Sequence, residues 1–253
     1  MKRLILIGIA VLVVGGGVTL FVLDNTLFAL VAVSTAVPVA PTLVASTQQA
    51  EPMEQAETDV EETTSEPVET GSADAILYQI DPAQSEVRYE VGETFFQDNR
   101  FALAVGTTQG VAGELLVDFA QPANTQIGDI VIDVSQFTSD ESRRDNFIRN
   151  TGLESGQYPL ATFSPQSIEG LPAQITDGES VSFTMTGDLT VKETTRSVTW
   201  NVTLTLDGDQ IVGTASTGIL MSDFGVGPIQ LAFLATEDQM NLFFDFVAVP
   251  AEA

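Results

Sequence analysis

The chain has 253 residues, 44% hydrophobic and 17% charged, with 9 Lys or Arg against 35 Asp or Glu and no His or Cys, for a formal charge of −26. Without His or Cys there is no disulfide, zinc finger, thiolate nucleophile, imidazole base or Ser-His-Asp triad. So negative a field repels a phosphate backbone and removes nucleic acid as a partner, while the apolar content is too high for a wholly disordered acidic chain.

Lys2 and Arg3 precede an uncharged run from Leu4 to Leu23 that ends at Asp24. Its 20 residues match the roughly 20 needed to cross a bilayer as a helix and exceed the apolar region of a cleavable leader, about 7 to 15. Residues 1–24 are therefore expected to form a transmembrane signal-anchor helix. Both cations lie ahead of the run and none follows until Arg88. The expected topology is thus single-pass at the cell membrane, with a cytoplasmic N-terminus and an exported C-terminal domain. The alternative is a long leader cleaved among the small residues between Ala32 and Ala45, giving a secreted or periplasmic protein.

Residues 25–75 read as an acidic disordered linker. An apolar stretch broken by Pro38 and Pro41 is followed by Glu51, Glu54, Glu57, Asp59, Glu61, Glu62, Glu66, Glu69 and Asp74 with no cation among them. Like charges interspersed with Pro, Thr, Ser and Gln bury no core and stay extended, so the stretch is expected to be a solvated tether.

Residues 76–253 have the length of one domain. From Val181 to Val191 the odd positions are apolar except Gly187, and the even positions are polar; from Val198 to Leu206 the even positions are apolar. Such alternation marks strands with one dry and one wet face. Shorter copies set Val87, Tyr89 and Val91 against Glu86, Arg88 and Glu90. Others set Leu115, Val117 and Phe119 against Glu114 and Asp118, and Ile130, Ile132 and Val134 against Asp129 and Asp133. Further strands are expected over 160–168, 210–217 and 241–249. Turn signals at Gln121-Pro122-Ala123-Asn124, Thr176-Asp177-Gly178 and Asp207-Gly208-Asp209 separate them. The count is about eight strands, with one short helix expected from Glu141 to Asn150 behind Asp140 as N-cap. An antiparallel sheet this amphipathic closes into a barrel or folds into a sandwich to hide its dry face. Phe119, Phe163, Phe183, Trp200, Phe244 and Phe246 are then either a packed core or the lining of a ligand cavity, and periodicity alone does not separate the two.

Arg143-Arg144-Asp145-Asn146-Phe147-Ile148-Arg149, followed by Gln157-Tyr158-Pro159-Leu160-Ala161-Thr162-Phe163-Ser164, resembles the signature of the YceI-like family of bacterial polyisoprenoid-binding, lipocalin-like proteins. Tyr78-Gln79-Ile80-Asp81-Pro82 with Ser85-Glu86-Val87 is similar to the family's first strands. Thr186-Gly187-Asp188-Leu189-Thr190-Val191 with Thr194-Thr195-Arg196-Ser197-Val198 resembles its Gly-x-Leu-Thr hairpin, and Ser222-Asp223-Phe224-Gly225 its late turn. The resemblance covers about 76–249. It implies an all-β fold, an extended antiparallel lipocalin-like barrel of about eight strands, holding a long isoprenoid chain or isoprenoid quinone and performing no catalysis. The candidate ligand-binding residues are Phe119, Ile132, Phe163, Phe183, Met185, Leu189, Trp200, Val202, Phe244 and Phe246. Arg144, Asp145, Tyr158 and Pro159 form a structural motif, in which Arg144 is expected to tie loop carbonyls together. Many members carry His in the second strand region and beside the Arg-Asp pair; here Gly92 to Asn99 and Phe147 occupy those neighbourhoods, so the resemblance implies a tail channel without headgroup contacts through imidazole. The expected partners are a lipid ligand and the membrane, with a homodimer left open. The rival readings are an extracellular enzyme working through paired carboxylates and a structural surface domain with a packed barrel.

Overall fold

The computed structural model describes residues 36–43 and 75–251, together with the paired backbone of Val13–Val14 and Gly17–Val18. That two-stranded pairing belongs to a first unit of residues 1–30; the rest of the expected membrane-spanning segment, and residues 25–35 and 44–74 of the expected linker, lie outside the described residues. Among the described residues no helix is long and apolar enough to cross a membrane.

The second unit is built on one antiparallel sheet of thirteen strands. In chain order they are β1 (Ile76–Ile80), β2 (Glu86–Phe95), β3 (Arg100–Thr108), β4 (Val111–Ala112), β5 (Glu114–Val117), β6 (Gln126–Ile127) and β7 (Ile130–Asp133), then β8 (Thr138–Ser139), β9 (Leu160–Glu169), β10 (Ser180–Val191), β11 (Thr194–Asp207), β12 (Gln210–Leu220) and β13 (Leu234–Pro250). The spatial order is β8-β3-β2-β13-β12-β11-β10-β9-β7-β4, with β1 bridging β13 and β5, and β6 adding to β5. The sheet curls into a half-barrel whose dry face gathers one hydrophobic cluster from Tyr78 to Ala248.

The long central strands form as their alternation dictates. Val181, Phe183, Met185 and Leu189 of β10 and Val198, Trp200 and Val202 of β11 are buried. On the wet face, hydroxyls pair across the same ladder: Ser182 with Thr203 at 3.0 Å, Thr186 with Thr199 at 2.8 Å, and Thr190 with Thr195 at 2.9 Å. The break at Gly187 has a steric cause: a Cβ there would lie 2.4 Å from the Ser164 carbonyl oxygen and 2.8 Å from the Phe163 ring.

Four expectations need correction. The sheet has thirteen strands, not about eight, several of only two residues. Among those not expected is β3, which turns Phe101 and Leu103 outward and the small Ala104 and Gly106 inward, the reverse of the usual pattern. Gly106 must be small because a Cβ would sit 2.3 Å from the ring of Tyr89, its partner on β2. Glu114, Asp118 and Asp133, assigned to wet faces, are buried. Each meets hydrogen-bond donors instead: Glu114 accepts from the distant Leu43 N–H at 2.6 Å and Gln79 Nε2 at 3.1 Å, Asp118 from the nearby N–H groups of Ala120 and Gln121, and Asp133 from Ser135 N–H at 3.0 Å. The helix, α1 (Ser142–Phe147), is capped by Glu141 rather than Asp140, the Glu141 side chain accepting from Arg143 N–H, and passes into one π turn, Ile148–Gly152. Finally, residues 36–43, within the expected linker, lie on the domain: Ala40 is buried, and the Ala36 carbonyl accepts from Gln136 Nε2 at 2.8 Å.

Candidate ligand-binding cavity

Register on the dry face sets the first wall of a cavity. Met185 lies opposite Trp200 and Phe183 opposite Val202 across β10 and β11, while Phe163 of β9 meets Trp200 edge to face, ring centres 6.0 Å apart at 67°. Leu189, Ile132 of β7, and Phe244 and Phe246 of β13, whose rings are 5.3 Å apart, complete this wall. The structure thus gathers nine of the ten expected residues around one space. Phe119 stands apart. It packs against Tyr78 at 6.1 Å and lines a separate void of about 30 Å³.

The lining continues through Tyr89 of β2, Phe137, Ile148 of the π turn, and Met221 and Phe224 of a 3-10 turn, Met221–Phe224. Gly225 ends that turn with φ of 65°, a left-handed conformation suited to glycine. The turn is also pinned from outside, Asp238 accepting from Ser222 N–H at 2.8 Å and Ser222 Oγ at 2.6 Å.

Within this lining the cavity offers about 190 Å³ to the centres of water-sized molecules. One water needs about 10–15 Å³ by that measure, and a packed interior leaves few voids larger than one water. The dry faces therefore enclose a hollow. Its lining is almost wholly apolar and carries no Asp, Glu, Lys or Arg. Trp200, only 8% exposed, has an indole N–H with no hydrogen-bond partner.

The Arg-Asp motif forms a polar cluster that does not line this space. Arg144 forks onto buried Glu93, Nε to Oε1 at 3.1 Å and Nη2 to Oε2 at 3.0 Å, and Nη1 reaches Ser139 Oγ at 3.2 Å and the Asp140 carboxylate. Burial alone would lower the Arg144 pKa, but the carboxylates of Glu93 and Asp140 hold it above its ordinary value. Asp145 accepts from Ser139 N–H at 2.9 Å and Oγ at 2.6 Å, so Ser139 joins the motif's two residues while Glu93 and Asp140 pair with Arg144 alone. The carbonyl tie expected of Arg144 is made by Arg149, whose Nη1 donates to the Phe137 carbonyl at 2.8 Å. Tyr89 links cluster and cavity. Burial raises its phenol pKa, Arg144 opposing the shift and Asp145, Glu93 and Asp140 adding to it. Tyr158 is half-buried and accepts from Gln157 Nε2 at 2.7 Å, and the Pro159 carbonyl accepts from Val134 N–H at 2.8 Å.

Such a space can hold an apolar chain and orient it by shape; its lining offers no acid-base pair for chemistry. Among the described residues no group of three or more acidic side chains could hold a metal ion. Sequence reasoning missed Phe137, Ile148, Met221 and Phe224 as wall residues. Phe137, Met221 and Phe224 lie on short turns without a period, Ile148 fell within the expected helix, and the resemblance included Ile148 and Phe224 without assigning either to a lining.

Comparison with known proteins places this geometry. The chain is 27% identical to protein YceI of Escherichia coli O157:H7 over 163 residues, covering 62% of this chain and 79% of that one. The fold matches BcnA of Burkholderia cenocepacia at a TM-score of 0.54 with 25% identity, over 67% of this chain and 99% of that one. It also matches a polyisoprenoid-binding domain from Saccharophagus degradans implicated in plant cell wall breakdown at 0.52 with 12% identity, over 70% and 99%. The YceI-like domain family matches residues 78–248, two strands' edges short of the whole sheet, and the chain belongs to that family.

Proposed function

We propose that this protein is an exported, membrane-tethered carrier that holds a long lipophilic chain of polyisoprenoid type in the cavity, for transport or storage of an isoprenoid lipid or quinone, and that it performs no catalysis. The observation that carries this reading is the hollow itself, with apolar walls from nearly every long strand and no Asp, Glu, Lys or Arg in its lining. A domain of the same fold is a polyisoprenoid binder, which supports the reading. Burying each methylene-sized group contributes about 0.8 kcal/mol, so a few isoprene units offset the several kcal/mol lost on ordering a flexible chain. Selectivity then rests on depth and width rather than on polar recognition. The test is extraction of the purified full chain into organic solvent followed by mass spectrometry. A polyprenyl species recovered in near-equimolar amount is expected; a chain purified repeatedly without lipid, and taking none up from added polyprenyl lipid, would end the proposal.

A further inference from the structure

We propose that the outer face around the β2–β3 hairpin docks on the bilayer, so that a lipid chain passes between membrane and cavity without crossing water. This rests on the carrier reading above. Among the described residues the exposed phenylalanines are Phe96, Phe101 and Phe233, at 49%, 59% and 58%, and all three fall in one patch with Leu103 at 51%. Register brings them together. Gly92 and Thr94 of β2 lie opposite Leu103 and Phe101 of β3. A Cβ on Gly92 would be 2.8 Å from the Phe101 ring, so that ring lies across the β2 backbone, and Phe96 N–H donates to the Phe233 carbonyl at 2.9 Å. A contiguous apolar patch on a soluble face marks a docking site.

Two observations select a bilayer as its occupant. First, the patch adjoins the cavity. Ile229, on the loop leading to Phe233 and paired with Thr236 in both directions at 2.8 and 2.9 Å, lines the space, as does Val91 from the face of β2 opposite to Gly92. Second, the chain is held at Ala36 and Leu43 by Gln136 and Glu114, so only residues 24–35 separate the domain from the end of the expected anchor. Fully extended, that stretch spans at most about 40 Å, the farthest that a chain anchored as expected could carry the domain from the bilayer. The local charge is nearly balanced. Arg100 pairs with Asp98 at 3.7 Å and stacks on the Phe95 ring at 4.1 Å, while the Glu237 carboxylate lies beside Gly92. Insertion is thus driven by apolar burial, and the charge of −26 disfavours anionic lipid.

The absence of Cys permits unique labelling. The full chain with Leu103→Cys, or with Val212→Cys as control, would carry an environment-sensitive dye and be reconstituted into phosphatidylcholine vesicles containing nitroxide lipid. Val212 pairs with Val247, toward the end of the β12–β13 ladder away from Gln239 and the patch. Several-fold stronger quenching at 103 than at 212 is expected. Phe96→Ser with Phe233→Ser should reduce it to the control level with unchanged melting, and phosphatidylglycerol should weaken it in a salt-reversible way. Equal quenching at both positions overturns the proposal, as does a shift at 103 that follows protein concentration without lipid, which assigns the face to a second copy. Solvent extraction of the same samples separates the two ideas: bound lipid without selective quenching ends the docking alone, whereas selective quenching without bound lipid keeps it and ends the carrier reading.

Discussion

Replacing Arg144 with Ala separates a structural role for the Arg-Asp signature from a ligand contact. Glu93 is 5% exposed and takes two charge-assisted hydrogen bonds from Arg144, at 3.1 and 3.0 Å. Truncating the arginine leaves that carboxylate buried without its cation. Breaking a buried pair from one side costs about 3–5 kcal/mol; the Arg144 side chain is 17% exposed, and water entering the vacated site lowers the figure to about 2–3 kcal/mol. In a domain of this size each kcal/mol shifts Tm by about 2–4 °C, so a fall of roughly 5–10 °C is expected. Thermal melts by circular dichroism, with lipid content measured in parallel, provide the assay. Adding Glu93→Leu to Arg144→Met should recover most of the loss, since it removes the orphaned charge. An unchanged melt with lost lipid would refute the reasoning and make Arg144 a ligand contact. A double variant as unstable as the single one would show that the carboxylate was not the cause.

Burial raises the Tyr89 phenol above its ordinary pKa. Its contribution is therefore complete below about pH 10, where the unfolded phenol is neutral, and is lost as pH rises beyond it, so melts from pH 9 to 11 should fall less steeply for Tyr89→Phe than for the parent. Parallel slopes would contradict this. Gly187→Ala forces a Cβ to within 2.4 Å of the Ser164 carbonyl oxygen and should cost about 1–3 kcal/mol in chemical denaturation, whereas no loss would mean that β9 moves freely. Ala215→Phe places a ring in the cavity between Val202 and Phe244, its partners across β11 and β13, and should exclude lipid while the domain still melts cooperatively; full lipid content would place the ligand elsewhere. The full chain should fractionate with membranes and resist salt and alkali. A mature N-terminus between residues 32 and 50 would show that the leader is cleaved.

What was legible in the sequence follows from what alternation encodes. β10 from Val181 to Leu189 and β11 from Val198 to Val202 alternate because one face is dry there, and the one exception, Gly187, marks where the Phe163 ring crosses the strand. β3 escaped because its inward positions are small, leaving room for Tyr89, while its outward ones are large. Glu114, Asp118 and Asp133 looked solvated because carboxylates usually are, and the backbone donors that satisfy them belong to turns and to residues 36–43, which carry no periodic signal. Alternation also reports which side is dry but not how far two dry sides stand apart. Sheet curvature sets that gap, so packed core and cavity had the same pattern. The Arg144 partner was hidden for a related reason: Glu93 is 51 residues away in sequence and meets it only when β2 reaches α1.

Trp200 permits the most direct test of the central claim, because it is the only tryptophan, is buried, and stands on the cavity wall. Its emission should lie toward the blue. Titration with a long-chain isoprenoid quinone, whose ring quenches nearby indoles, should lower that emission saturably, and the headgroup without its tail should not. Phe183, beside Trp200 on the same wall, supplies the control. A charge introduced there should abolish the quenching in a domain that still folds. A carrier predicts saturable quenching that requires both the tail and an apolar residue at 183. No saturable response, or one that the headgroup alone reproduces, would contradict it.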